Sequence, residues 1–226
     1  MAAESQTAGK EAVTDASDIT DNPFFARLWT FLSSHETEEI QRLRTENLAG
    51  LSGRVLEVGA GTGTNFAYYP TTVTEVVAVE PEPYLRERAR EAAEAVAVKV
   101  TVVDGVAGRL PLEDGAVDAG VASLVLCSVP DQGAALVELR RVIRAGGELR
   151  FYEHVVARTR GLARLQRALD RTVWPHVGGG CHCSRDTDAA IGAAGFEIES
   201  LRSFKFQPNP LVVPVSPHIL GVARRP

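Results

Sequence analysis

The chain has 226 residues, of which 45% are hydrophobic and 23% are charged, and its formal net charge is −5. This length accommodates one large α/β domain or two small ones, and the negative charge argues against nucleic acid as a partner. No apolar run reaches the length of a membrane span and no secretory signal is evident, so we expect no stable membrane anchor. Three cysteines fit the cytoplasm better than a disulfide framework, and the preference for Arg over Lys suggests a GC-rich bacterial genome.

The N-terminal part divides into a tail and two helices. Residues 1–21 are polar and lack apolar periodicity, which predicts a disordered tail ahead of a single domain over 22–226. Residues 22–50 form the predicted N-terminal helical cap. Its first helix has an apolar face made of Phe25, Leu28, Phe31 and Leu32. Ser33 or Ser34 is expected to cap the second helix, which carries Ile40, Leu43 and Leu48.

Strands and helices then alternate. The predicted strands are RVLEVGA, EVVAVEP, VKVTVVDG, VDAGVASLVLCSV and GELRFYEHV, and the predicted helices between them are NFAYY, PYLRERAREAAEAVA and DQGAALVELRRVI. This alternation predicts a parallel sheet with helices on both faces. Residues 156–187 interrupt it with a basic helix over 158–171 and a glycine-rich loop, predicted to be a lid insertion. A helix, DTDAAIGAAG, and two strands, FEIESLRSFKF and HILGVARR, complete the chain.

Three glycines, Gly59, Gly61 and Gly63, follow the first strand at alternate positions in VLEVGAGTGTNF. An ordinary turn from strand to helix needs one glycine, whereas a ligand that approaches the backbone at the carboxyl ends of the strands needs several. A dinucleotide fingerprint would require a further glycine at Thr64, which this chain lacks.

Three carboxylates lie at or near the ends of successive strands. Glu57 precedes the glycines, where a carboxylate is unfavourable beside a pyrophosphate but suits a cationic amino acid. Glu80 is placed to hold two ribose hydroxyls, and Asp104 to accept a hydrogen bond from an adenine amino group. Any one of these acids alone would be an ordinary solvated strand end. Together they indicate adenosine joined to a positively charged amino acid, which is S-adenosylmethionine (SAM).

The ordered motifs LEVGAGTGTNF, VVAVEPEPY, VVDGVAGRLP, VDAGVASLVLCSV and LRRVIRAGGELRFYEHV resemble those of class I SAM-dependent methyltransferases. The resemblance implies a Rossmann-like α/β fold, with a mostly parallel seven-stranded sheet and a C-terminal antiparallel hairpin. It also implies that the glycines lie under methionine and ribose, that Glu80 holds the ribose, and that Asp104 and the next backbone amide read the adenine. The cofactor-binding residues implied are Glu57, Gly59, Ala60, Gly61, Gly63, Asn65, Glu80, Pro81, Asp104, Gly105, Val106, Leu124 and Val125.

Within that family, SLVLCSV, FYEHV, WP and GGGCHCSRDT resemble a narrower group that includes small-molecule thiol S-methyltransferases. The animal members carry an apolar N-terminal anchor that this chain lacks, so we do not expect a membrane location. The resemblance implies a small-molecule acceptor, and we expect a cytoplasmic monomer or homodimer.

The candidates for chemistry lie late in the chain. His154, at the end of the fourth or fifth strand, either deprotonates or orients a thiol, or it merely satisfies a nearby carbonyl. The predicted lid over 156–187 is expected to fold over the acceptor pocket, with Cys181 or His182 lining it. Cys127 is interpreted as a small buried hydrophobic residue. Arg185 and Asp186 are expected to cap or brace the following helix.

Zinc is one interpretation of Cys181, His182 and Cys183, with His176 upstream. The spacing of the two cysteines argues against it. The two residues that usually separate paired zinc cysteines are missing and no second pair follows, so the sequence predicts no metal.

The sequence therefore predicts SAM-dependent transfer of a methyl group to a small molecule by in-line displacement, with a thiol as the first acceptor hypothesis. An alkyl thiol has a pKa near about 8.5 and needs little activation, whereas a phenol or alcohol needs a general base. The alternatives are O- or N-methylation of a phenolic or amine natural product, a nicotinamide-dependent oxidoreductase, and a non-catalytic SAM-binding protein.

Overall fold

The structure, a computed structural model, describes residues 23–33, 36–172, 174–207 and 210–226. The predicted tail over 1–21 lies outside these residues. The described helices are α1 (Pro23–Ser33), α2 (Glu38–Leu48), α3 (Pro83–Glu94), α4 (Gln132–Val142), α5 (Arg160–Asp170), α6 (Trp174–Val177) and α7 (Thr187–Ala193). The strands are β1 (Gly53–Val58), β2 (Val73–Val79), β3 (Val100–Val103), β4 (Val117–Ser123), β5 (Ile143–His154), β6 (Glu197–Lys205) and β7 (Pro217–Arg224).

Within the described residues, the seven strands form one sheet in the order β3-β2-β1-β4-β5-β7-β6. The first five strands are parallel, and β7 lies antiparallel to both β5 and β6. This topology confirms the predicted Rossmann-like fold and its C-terminal antiparallel hairpin. From β1, strands β2 and β3 are added on one side of the sheet and β4 and β5 on the other, so the strand order reverses at the parallel β1–β4 pair. Ligands of such sheets bind beyond the carboxyl ends of the strands at this point.

Alternating side chains of the central strands enter two separate cores. Val55 belongs to the core that includes Ala89 of α3, whereas its neighbour Leu56 belongs to the core that includes Leu136 and Leu139 of α4. Because adjacent residues of a strand point to opposite faces, an apolar run such as that of β1 buries both faces. The helices on each side therefore hold the strand ends rigidly.

Two local predictions are wrong. The helix expected to open at NFAYY is a three-residue 3-10 helix, Phe66–Tyr68. Tyr69 precedes Pro70 and adopts extended geometry, because a residue before proline is disfavoured in the α region. The cap of α2 is Thr37, whose Oγ1 accepts from the amide of Ile40, rather than Ser33 or Ser34.

The expected apolar face of α1 is only partly defined by the described side chains, in which Leu28 and Phe31 are exposed. Across the described residues, no helix combines the length and apolar character that crossing a bilayer would require.

Candidate active site

The glycine loop joins β1 to the edge where the parallel strands end. Gly59, Gly61 and Gly63 all have positive φ. At Gly59, φ is +61° and an added Cβ would lie 2.3 Å from Val125 Cγ2, so any side chain would collide with the loop after β4. At Gly61, an added Cβ would lie 3.1 Å from the indole nitrogen of Trp29 on α1. The bare backbone is thus required by its neighbours.

Glu80 holds the glycine loop from the end of β2. Its Oε2 accepts from the amide of Gly61 at 2.8 Å, and its Oε1 accepts from the amide of Glu82 at 3.0 Å. Arg86 donates to the carbonyl oxygens of Glu80 and Pro81. Burial raises the pKa of Glu80, although the two amides lower it. The side chain therefore connects the ends of the first two strands.

Glu57 is buried beneath the same loop. Its Oε1 accepts from Asn65 Nδ2 and its Oε2 accepts from the hydroxyl of Tyr69, both at 2.8 Å. Arg44 of α2 donates to Asn65 Oδ1 at 2.7 Å and also binds the carboxylate of Glu36. Burial raises the pKa of Glu57 from 4.5 to about 7, against the lowering effect of these hydrogen bonds and of Arg44. This polar network attaches α2 to the side chains that lie beneath the glycine loop.

The raised pKa of Glu57 predicts a pH-dependent stability. Because the folded chain binds this proton more tightly than the unfolded chain does, Glu57 stabilises the fold fully below about pH 4.5. That contribution is lost as the pH rises towards 7, a loss on the order of 3 kcal/mol. Glu57→Gln should remove this pH-dependent contribution while keeping the contacts to Asn65 and Tyr69. We therefore expect the free energy of unfolding of the variant, measured in urea and relative to that of the wild type, to rise between pH 4.5 and pH 8. A flat difference would contradict the assignment.

The third carboxylate lies at the rim. Asp104 follows β3, its side chain is 72% exposed, and it pairs with Arg86 at 3.1 Å. Gly105 packs closely against Pro111, and Val106 forms an isolated bridge with Arg109. Their role towards adenine stays a prediction.

The loop after β4 borders the glycine loop and is held in an unusual conformation. Leu124 has φ +59°, a left-handed geometry that is uncommon for a residue with a side chain and is found at functional sites. Its amide donates to the carbonyl of Tyr152 at 2.7 Å. The carboxylate of Glu153 then accepts from the next three amides, those of Val125, Leu126 and Cys127, at 3.0, 2.9 and 3.2 Å.

Glu153 is fully buried. Burial raises its pKa to about 7, while the three amides and neighbouring His154 lower it. A buried carboxylate with three amide donors is a structural clamp, and here it fixes the loop that faces the glycines.

Two thiols and an imidazole meet at the carboxyl ends of β4 and β5. His154 is the last residue of β5, and its Nδ1 lies 3.7 Å from Cys127 Sγ and 3.6 Å from Cys181 Sγ. Both cysteines are buried. The thiol of Cys127 hydrogen-bonds to the sulfur of Cys181, which lowers the pKa of Cys181 to about 5 and raises that of Cys127 well above its ordinary value. The interpretation of Cys127 as merely apolar therefore misses its polar contacts.

The other acceptor-side candidates lie apart from this group. His182 lines a cleft of about 540 Å³ with Arg167 and Arg171. The sulfur of Cys183 contacts Asp170 at 3.2 Å, and His176 is exposed on α6. Of the sequence candidates for chemistry, the structure brings His154 and Cys181 together and places His182 elsewhere.

Arg185 has a different place from the one expected. It does not brace α7; its guanidinium donates to the carbonyls of Leu126 and Val129, both at 2.6 Å. Asp186 occupies the N-cap position of α7 without a capping hydrogen bond from its side chain. Arg185 thus fastens the loop after β4.

Sequence reasoning missed several residues of the site. Arg44 and Asn47 are buried on helix α2, and both Asn47 and Asn65 donate to Ser123 Oγ at 3.2 Å. Arg44 lies four residues before the buried Leu48 and Asn47 four residues after the buried Leu43, which places both on the apolar face of the helix. Helical periodicity could therefore have identified them.

Comparison with known proteins agrees with this geometry. Residues 56–151 match the family described as methyltransferase domain. The chain is 36% identical over 212 residues to thiol S-methyltransferase TMT1B of Homo sapiens, covering 89% of this chain and 84% of that protein. It is 32% identical over 211 residues to thiol S-methyltransferase TMT1A of Homo sapiens, with the same coverage.

A solved S-adenosylmethionine-dependent methyltransferase from Mesorhizobium loti shares the fold. Its TM-score is 0.61 at 19% identity, and the match covers 84% of this chain and 98% of that one. The chain is therefore a SAM-dependent methyltransferase and belongs to the family that contains the thiol S-methyltransferases TMT1A and TMT1B.

Proposed function

We propose that this enzyme transfers the methyl group of SAM to the sulfur of a small thiol. The observation that carries the proposal is the extent of the match to TMT1B, which spans 89% of the chain, whereas the methyltransferase-domain match ends at residue 151. The segments beyond 151 contribute the acceptor side of the sheet edge, including His154 and Cys181. Likeness to thiol S-methyltransferases in this region favours sulfur as the accepting atom.

The cofactor is assigned to the glycine loop and the carboxylates around it. In this proposal Glu80 binds the ribose, Asp104 with Gly105 and Val106 binds the adenine, and the methionine end lies between Gly59 and the Leu124–Val125 loop. Supporting residues of this site are Glu57, Ala60, Gly61, Gly63, Asn65 and Pro81. The burial of Glu57 and Asn65 favours a supporting role beneath the loop.

Alignment then accounts for much of the rate. Methyl transfer from a sulfonium is an in-line displacement, and correct positioning of two reactants supplies up to roughly 7–11 kcal/mol. An alkyl thiol with a pKa near about 8.5 is already partly ionised at neutral pH. The site therefore needs a group that orients the acceptor sulfur more than it needs a strong base, and His154 beside Cys181 is placed for that work.

The proposed enzyme is cytoplasmic and works as a monomer or homodimer. The three cysteines are all free, which fits a reducing compartment. Measuring the size of the purified protein in solution distinguishes the two assembly states.

The reaction is tested by supplying methyl-labelled SAM with a mixed set of small thiols, phenols and amines. Mass spectrometry of the products identifies the methylated atom, and labelled thioethers are expected. Label on phenols or amines alone would favour O- or N-methylation instead. SAM binding without any labelled product would favour a non-catalytic protein, and binding of NAD(P) in place of SAM would favour an oxidoreductase.

His154→Ala should lower turnover of the best thiol at least about tenfold and leave SAM affinity within about twofold, because the ring contacts Cys127 and Cys181. His176→Ala is the matched control, since that histidine is exposed and outside the thiol group. Full activity of His154→Ala over the whole pH range would remove this residue from the reaction.

A further inference from the structure

The group formed by Cys127, His154 and Cys181 has the composition of a metal site. Among the described residues these three side chains bring their ligand atoms within 4.8 Å of one another. They come from three separate segments, the loop after β4, the end of β5 and the loop after α6. Thiolate sulfur and imidazole nitrogen are the ligands that zinc prefers.

The distances within this group are those of ligands around one cation. His154 Nδ1 is almost equally far from both sulfurs, at 3.6 and 3.7 Å. A shared cation accounts for both distances. With Zn–S about 2.3 Å and Zn–N about 2.0–2.1 Å, a tetrahedral centre separates sulfur from nitrogen by about 3.6 Å.

We propose that Cys127 Sγ, Cys181 Sγ and His154 Nδ1 bind one zinc ion. This assignment replaces the ligand set weighed from sequence, of which only Cys181 belongs to the group. Cys183 contacts Asp170, and His182 lines the neighbouring cleft.

The segments that carry the ligands are held by contacts of their own. Glu153 binds three successive amides that end at Cys127, and Arg185 binds two carbonyls of the same loop. The amide of His182 donates to the carbonyl of Cys127 at 2.8 Å, which joins the Cys181 loop to the loop after β4. Such support around a metal site orients its ligands and tunes the metal.

The local charges also suit a divalent cation. The negative charges of two thiolates balance the double positive charge of zinc. The carboxylate of Glu153 is balanced by the guanidinium of Arg185, which lies close to both cysteines. A buried site of this composition leaves no uncompensated charge, the condition under which ions are tolerated in a protein interior.

Three protein ligands leave one tetrahedral position for a substrate, and this part of the inference rests on the proposed S-methylation. The acceptor thiol binds there as a thiolate and gives its proton to solvent. A sulfur lone pair forms the bond to the methyl carbon while the carbon–sulfonium bond of SAM breaks. The products are a neutral thioether and S-adenosylhomocysteine.

Cobalt titration of the metal-depleted, full-length protein tests the site. One Co²⁺ per chain should bind with a near-ultraviolet thiolate charge-transfer band, and one equivalent of Zn²⁺ should abolish that band. Cys127→Ser and Cys181→Ser should each weaken binding by at least roughly tenfold, whereas Cys183→Ser, the matched control, should retain it. An absent band, or an equal loss in all three variants, overturns the inference.

Circular dichroism and SAM calorimetry on each variant verify that it is folded. If the serine variants fail to fold, the wild-type cobalt spectrum and its displacement by zinc decide alone. The two proposals fail separately. Thiol methylation that persists in chelator-treated protein without a cobalt band overturns the metal site only. A bound metal without any methylated thiol supports the site and overturns S-methylation.

Discussion

Replacing Glu153 with alanine is expected to lower the free energy of unfolding by about 3–5 kcal/mol. The change removes a fully buried carboxylate and leaves three amides of the loop after β4 without their acceptor. Each unpaired buried amide is costly, and the vacated volume adds to the loss. Urea unfolding followed by circular dichroism measures the difference.

Two further variants make this result specific. Glu153→Gln keeps one acceptor oxygen for the amides of Val125 and Leu126, so its cost should be intermediate. Glu199→Ala removes a carboxylate whose side chain is 44% exposed and pairs with Arg224, so it should leave the free energy of unfolding nearly unchanged. If the free energy of unfolding of Glu153→Ala lies within about 1 kcal/mol of the wild-type value, Glu153 does not hold the loop.

Replacing Glu80 with alanine is expected to weaken SAM binding at least about tenfold, or about 1.4 kcal/mol. Two effects act in the same direction. The variant loses the carboxylate proposed to hold the ribose, and it frees the amide of Gly61 that Oε2 now binds. A more mobile glycine loop loses more conformational entropy when the ligand orders it, which weakens binding. Calorimetric titration with SAM gives the affinity.

Glu75→Ala is the matched control for Glu80→Ala. Glu75 lies on the same strand but pairs with Arg54 and Lys99, so SAM affinity should change by less than about twofold. The SAM affinity of Glu80→Gln should lie between those of Glu80→Ala and Glu75→Ala, because glutamine keeps one acceptor oxygen. An unchanged affinity in Glu80→Ala, with the fold intact, would place the ribose elsewhere.

The sequence contained the information for the order of the strands and helices and for the glycine loop. Strand and helix periodicities are local, so the alternation from β1 to β5 was predictable and is confirmed. The three glycines are equally local, because a backbone with positive φ requires them wherever the strand ends. Where local signals competed, prediction failed, and Pro70 shortened the expected helix at Phe66 to a single 3-10 turn.

The groups proposed to carry the chemistry were brought together by tertiary structure. Cys127, His154 and Cys181 are separated by 27 residues at each step, and only the parallel packing of β4 beside β5 brings the first two together. Arg44 contacts Asn65, which lies 21 residues away in the chain, from the buried face of α2. Sequence periodicity reports which face of an element is apolar, but it carries no information about which distant polar side chains will meet. That pairing is set by the crossing of strands and loops in the folded chain.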